Sequence, residues 1–442
     1  MDQKPVVDSE VSISNPSTAW FEEAKFGMFI HFGLYSVAGG EWQGKPVQRN
    51  MYAEWLRAQA LWPERMLTRQ EYDSLLPAFN PTKFDAEQWV SAAQQAGMRY
   101  LIVTAKHHDG FALWPSKVSA YNVVDATPFR RDLLGELAQA CRKYGLKLGF
   151  YYSHWQDWGN GGAMPPWPAQ EGDYAVTQPS DQAYKKYWYE FCLPQVKELL
   201  VNYQPDLMWF DSWHQASPAL TDQRVADLVE LVRTTHPPCL INGRINFKQQ
   251  ENSEQIDFLS MNDNYIPDTG SGKPWEAPGT MNDSWGYNKN DYGWKPTATL
   301  LENLIKCFSR GGNYTLNVGP LPDGTFPVPA TRRLQEMGAW LTAHQEAVWG
   351  SSPVGLPEPA WGKMTKQQQG DSTQLYLFVT SEPKPNKISF SPDEPILKAQ
   401  VLETGQPVAW TKQGGETTLE LPGGAAEAMP LVVKLTMKGA VP

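Results

Sequence analysis

Cysteine is scarce. Four residues, Cys141, Cys192, Cys239 and Cys307, are scattered through a chain of 442 and form no CxxC pair, which argues against a disulfide framework or a thiolate metal site and predicts buried free thiols. Long apolar runs are missing too, since none approaches the ~20 residues that a membrane-spanning helix needs. The N-terminal stretch "MDQKPVVDSEVSISNPS" is polar rather than a signal peptide. A soluble protein with no membrane partner is expected, and a periplasmic or secreted location stays open because a removed export signal leaves no trace in the chain. Positive charge is in deficit, with 38 Lys and Arg against 48 Asp and Glu and a net charge of −10, which argues against nucleic acid as a partner. Histidine numbers seven, with no HxH pair and no HExxH motif. No glycine-rich loop of the dinucleotide-binding kind follows the first apolar stretch, which continues "HFGLYSVAGG". No cofactor, internal repeat or low-complexity tract is indicated.

Aromatic residues are abundant, 19 Trp, 18 Tyr and 17 Phe, and many stand beside charged or amide side chains, as in "EWQ", "SHWQDW", "WFDSW" and "DSWGY". Aromatic faces next to hydrogen-bonding groups suit sugar rings, whose C–H faces stack while their hydroxyls need polar partners. A large core with aromatic-rich loops explains the composition equally well.

The middle of the chain alternates between helical and strand periodicity. "FDAEQWVSAAQQAG" reads as a helix begun by Asp85 and closed by Gly97, and "RYLIVTAKHHDGF" follows as a buried strand. The design recurs in "RDLLGELAQACRKYG" with "LKLGFYYSHW", "QVKELLVNYQP" with "DLMWFD", "DQRVADLVELVRTTHPP" with "CLINGR", and "LLENLIKCFSRGG" with "NYTLNVGP". Adding "FGMFIHFG" and "IDFLSMND" makes seven strands, with an eighth hidden in "EAPGTMNDSWGY". Such a series predicts a (β/α)8-like TIM barrel over residues 1–350, in preference to a doubly wound open sheet. From residue 351 the pattern becomes short strands between Pro and Gly turns, so residues 351–442 read as an antiparallel β-sandwich.

Barrel chemistry collects at the C-terminal ends of the strands. Those positions hold His31, His107 and His108, Tyr152 and His154, Asp211, Arg244 and Asp263. One reading is a metal-dependent hydrolase, but neighbouring histidines on a continuing strand point to opposite sides. The other is sugar hydrolysis, in which one carboxylate attacks the anomeric carbon and a second protonates the leaving oxygen. This second reading uses more of the residue types present.

The stretches "WFEEAKFGMFIHFGLYS", "YAEWL", "FDAEQWVSAAQQAGMRYLIVTAKHHDGF", "WFDSW", "DSWGY" and "RGGNYTLNVGPLPDG" together resemble the glycoside hydrolase family 29 α-L-fucosidases over about residues 18–327. The resemblance implies a barrel followed by a β-sandwich, retaining exo-hydrolysis of fucosylated oligosaccharides or glycoconjugates, and no metal. It implies that Asp211 is the nucleophile and that His31, Glu54, Trp55, His107, His108, Tyr152, Trp209, Arg244 and Trp285 bind fucose. The family's acid/base position varies; here the aligned carboxylate is Asp263, and Glu276 of "PWEAPG" competes for the role or supports it at the substrate. A catalytically silent fucose-binding barrel is the remaining alternative from another class.

Overall fold

The structure, a computed structural model, describes every residue except 1–15, 48–51, 62–63, 167–177, 213–218, 247–252, 382, 423–428 and 442. Eight parallel strands form one sheet: Phe26–Ile30 (β1), Tyr100–Lys106 (β2), Lys147–Tyr152 (β3), Leu207–Phe210 (β4), Leu240–Ile241 (β5), Leu259–Ser260 (β6), Trp275–Thr280 (β7) and Asn313–Val318 (β8). Nearly every strand residue is buried, as expected where helices cover one face of a parallel sheet and a barrel lumen the other. The strand order is β5-β4-β3-β2-β1-β8-β7-β6. The two ends meet at a parallel bridge between Asn242 and Phe258. Asp257 N donates to Ile241 O at 2.8 Å, and its carboxylate accepts from Ile241 N at 2.7 Å. The sheet is therefore a closed barrel.

Helices Ala86–Gln95 (α1), Leu133–Tyr144 (α2), Leu193–Tyr203 (α3), Asp222–Thr235 (α4), Thr297–Phe308 (α5) and Val328–Ala343 (α6) form the outer layer. Their starts follow local chemistry: Asp85 accepts from Glu87 N and Gln88 N, Asp132 from Gly135 N, and Thr221 from Arg224 N. Gly97 lies just beyond α1 at φ +84°, where a side chain would be strained. Among the described residues no α-helix follows β5 or β6 before the next strand, and β5 is followed only by the single 3-10 turn Gly243–Ile245.

Two hydrophobic layers result from strand alternation. Phe29, Tyr100, Ile102, Tyr151, Leu207, Trp209, Leu240 and Phe258 fill the barrel, whose lower end is plugged by Phe21 of the short helix Ala19–Ala24. Gly27 is required there, because a Cβ would stand 2.2 Å from the Tyr100 ring. Leu101, Val103, Leu148, Phe150, Tyr152, Met208 and Phe210 point instead toward the helices.

Beyond α6, strands Ser352–Pro353 (β9), Gly362–Gln369 (β10), Ser372–Val379 (β11), Lys387–Phe390 (β12), Ile396–Val401 (β13), Ala409–Gln413 (β14), Glu416–Glu420 (β15) and Leu431–Lys438 (β16) make an antiparallel sandwich. A five-stranded sheet, β9-β10-β11-β16-β13, faces a three-stranded one, β12-β15-β14. Leu375, Leu377, Ile388, Leu419, Val433 and Leu435 pack between them. The opposite face of β11 presents Phe378 to Phe308 of α5 and Trp340 of α6.

Candidate active site

Each strand end contributes one part. Asp211, one residue past β4, accepts from the Tyr151 hydroxyl at 2.9 Å and from Arg244 Nη1 at 3.3 Å. Burial raises its pKa, and Arg244 opposes that rise. Arg244, past β5, also gives Nη2 to Asp263 at 2.7 Å. Burial works against the guanidinium's charge, yet Asp263 and Asp211 hold its pKa above the ordinary value. One planar cation thus joins two carboxyl groups of unequal depth: the Asp211 side chain is 11% exposed and that of Asp263 40%. Asp263 lies nearer the exit.

Three histidines face the same space, His31 and His108 in fixed tautomers. Asn317 of β8 gives its Nδ2 to Trp285 O at 2.7 Å, so its Oδ1 receives the proton of His31 Nδ1 at 2.7 Å. The Ser153 hydroxyl donates to Gln156 O at 2.7 Å, so it accepts from His108 Nδ1 at 2.6 Å. Both Nε2 atoms are then acceptors. Burial lowers His31 to about 4 and pushes His107 and His108 well below the usual imidazole range, so all three are neutral near pH 7. His107 stacks on Tyr151, with ring centroids 5.3 Å apart, and its buried Nδ1 has no hydrogen-bond partner among the described residues.

Loops close the sides. Glu54 accepts from Gly286 N at 2.8 Å, and burial raises its pKa to about 7. Trp55 packs near His108, with Trp158 beside both rings. The Trp285 ring lies 5.1 Å from that of His31. His31, Glu54, Trp55, His107, His108, Asp211, Arg244, Asp263 and Trp285 therefore converge. Among the described residues, no group of three or more His, Cys, Asp and Glu side chains is placed to hold a metal ion.

Three expectations need correction. Tyr152 points away from the site, with its hydroxyl on Gln195 and its ring over the Lys106 ammonium. The inward residue is Tyr151, which registers with Trp209 just as Tyr152 registers with Phe210. The sequence signal was there: in "LKLGFYY", Leu148, Phe150 and Tyr152 form the apolar alternation that helices cover. Glu276 is not in a mouth loop but inside β7, fully buried, accepting from Trp209 Nε1, Ser260 Oγ and Thr315 Oγ1. No leaving group can reach it there. Trp209 itself is 2% exposed, stacked on Tyr151 with Arg244 above its ring. His154 is also behind the site, bonded to Ile245 O. Tyr151, Ser153, Trp158 and Asn317 went unread because their parts depend on strand parity and neighbouring loops.

Known proteins share this arrangement of chain. A sequence model of the alpha-L-fucosidase family matches residues 2–346. The alpha-L-fucosidase of Dictyostelium discoideum is 29% identical, covering 94% of this chain and 91% of that protein. The tissue alpha-L-fucosidase of Mus musculus is 31% identical over 77% of this chain and 73% of its own. Among solved structures, an alpha-L-fucosidase from Vibrio sp. strain EJY3 superposes with TM-score 0.84 at 34% identity, covering 97% of this chain and 74% of that one. A Bacteroides thetaiotaomicron alpha-L-fucosidase trapped as a covalent intermediate with 2-fluoro-fucosyl fluoride gives 0.82 at 27% identity, covering 98% and 100%. With the barrel, the sandwich and the family match in agreement, the chain belongs to the alpha-L-fucosidase family of glycoside hydrolases.

Proposed function

We propose that this protein is a retaining exo-α-L-fucosidase that removes terminal fucosyl residues from glycans or glycoconjugates, with residues 1–350 as its catalytic unit and 351–442 as a bracing sandwich. The observation that carries the reading is the pair of carboxyl groups, one deep and one near the exit, tied to the same guanidinium.

In the first step a carboxylate oxygen of Asp211 attacks the anomeric carbon while the glycosidic C–O bond breaks. The leaving oxygen takes a proton from Asp263, whose outer position is where the departing group must pass. In the second step the Asp263 carboxylate removes a proton from water, the water oxygen attacks the anomeric carbon, and the ester bond to Asp211 breaks. Two inversions give net retention. Tyr151 and Arg244 stabilise the Asp211 carboxylate before attack and after departure. The neutral histidines offer acceptor nitrogens to sugar hydroxyls, Glu54 offers a carboxyl group, and the Trp55 and Trp285 rings offer apolar faces.

The test is hydrolysis of an aryl α-L-fucoside beside a panel of fucosylated glycans, with the first-formed anomer read by NMR. α-L-Fucose is expected. β-L-Fucose as the first product would exclude the two-step route, and binding without turnover would leave a fucose-binding barrel.

A further inference from the structure

The turn that carries Asp263 also displays an aromatic ring. Tyr265 is 50% exposed, among the largest apolar side chains that the described surface leaves uncovered. Its backbone is nevertheless tightly held. Asn264 adopts φ 54°, a left-handed conformation that Asn tolerates better than most side chains. Its Oδ1 accepts from Thr280 N at 2.9 Å and from the Thr280 hydroxyl at 3.0 Å, and its N donates to Pro278 O at 2.9 Å. On either side, Met261 N donates to Glu276 O at 2.9 Å and Arg310 Nη1 to Pro267 O at 2.7 Å. Ile266 packs onto the main core. The turn is thus pinned to the end of β7, and Tyr265 is presented rather than buried.

We infer that Tyr265 is the platform for the leaving group's sugar ring. The inference rests on the fucosidase reading with Asp263 as acid. The leaving oxygen sits at the Asp263 carboxyl, and two residues of chain span at most about 7 Å, so the ring attached to that oxygen lies within reach of a phenol at position 265. An aromatic side chain on a backbone that is already set can take the C–H face of a pyranose at reduced ordering cost. Half of the residue's surface is exposed.

The test compares α-L-fucosyl fluoride, whose leaving atom is too small to touch Tyr265 and needs little protonation, with the best substrate from a panel of fucosyl disaccharides differing in linkage. For Tyr265→Ala the ratio of kcat/KM on disaccharide to that on fluoride should fall about tenfold to a hundredfold, the usual cost of one lost substrate contact. Tyr265→Trp should restore most of the ratio, since stacking rather than the hydroxyl is responsible. An unchanged ratio in Tyr265→Ala would overturn the proposal. So would equal losses on both substrates, which would mean that the residue only holds the turn. Failure of the fucosidase reading looks different, because the unaltered enzyme would then turn over neither substrate.

Discussion

Tyr151 and Tyr152 are adjacent in the chain and face opposite layers of the barrel, so exchanging each for Phe separates chemistry from packing. Tyr151→Phe removes the hydroxyl that donates to Asp211; kcat should fall about tenfold to a hundredfold, and the acidic limb of the pH–rate profile should move upward as the carboxylate loses a stabilising donor. Tyr152→Phe loses the hydroxyl's contacts with Gln195 and Cys192, behind the site. It should cost roughly 1 kcal/mol in urea unfolding with kcat close to the parent's, and the reverse pattern would show that strand parity has been misassigned. The two carboxyl groups are told apart by rescue. Asp211→Gly should lose nearly all turnover, and a variant retaining more than about a tenth of kcat would move the nucleophile elsewhere. Asp263→Ala should keep more activity on activated aryl fucosides than on poor leaving groups. Azide attacking its covalent intermediate should yield α-fucosyl azide, whereas azide attacking substrate in Asp211→Gly should yield the β anomer. Absence of α-fucosyl azide from Asp263→Ala would remove that residue from the acid role.

Elements were legible in the sequence to the degree that periodicity alone decides them. Helix α1 begins after Asp85 because that carboxylate caps it, and β2 is a solid apolar run because both its faces are covered. The eighth strand was concealed because "WEAPGT" contains Pro, Gly and a buried Glu, all uncommon in strands; the barrel tolerates Glu276 only because Trp209, Ser260 and Thr315 donate to it. That same oddity made Glu276 resemble a loop acid. The segment after β2 hides a comparable device. Lys106 and Asp157 form a fully buried pair at 2.8 Å, Gly110 at φ +83° leaves space that Asp157 Oδ1 fills, and Trp158 N donates to His108 O at 2.7 Å. The ion pair therefore clamps the His107–His108 turn against the loop after β3. Asp157→Leu, which strands the Lys106 charge, should destabilise the protein by about 3–5 kcal/mol in chemical denaturation. Adding Lys106→Met should recover most of that loss, because replacing both partners leaves no unpaired charge, and failure to recover would mean that the pair contributes something other than mutual neutralisation.

At the scale of the whole molecule, sandwich and barrel share one core through Phe378, Phe308 and Trp340, so the site's buried titrating groups are coupled to global unfolding. Four histidines, His31, His107, His108 and His154, have pKa values lowered by burial. Each contributes stability that is present above the unfolded imidazole value, about 6.5, and is lost as pH falls through its lower folded value. Glu54 works in the opposite direction. Its pKa is raised by burial from 4.5 to about 7, so the folded state retains a proton that the unfolded chain has already released. That contribution is fully present below about 4.5 and disappears as pH rises to about 7, at close to 1.4 kcal/mol per pH unit. Above pH 6.5 these histidines are neutral in both states and add no slope, while Glu54 pulls stability down, in the same direction as the other carboxyl groups that burial raises. Asp109, raised by burial to about 6, has finished its own decline by then. Unfolding free energy measured in urea from pH 4 to 9 should therefore be greatest in mildly acid solution. Glu54→Gln isolates the carboxyl term: the difference between parent and variant should decline by roughly 3 kcal/mol between pH 4.5 and 7 and stay flat beyond. A difference independent of pH would mean that Glu54 is already ionised throughout, and that Gly286 N and the other donors around it outweigh its burial.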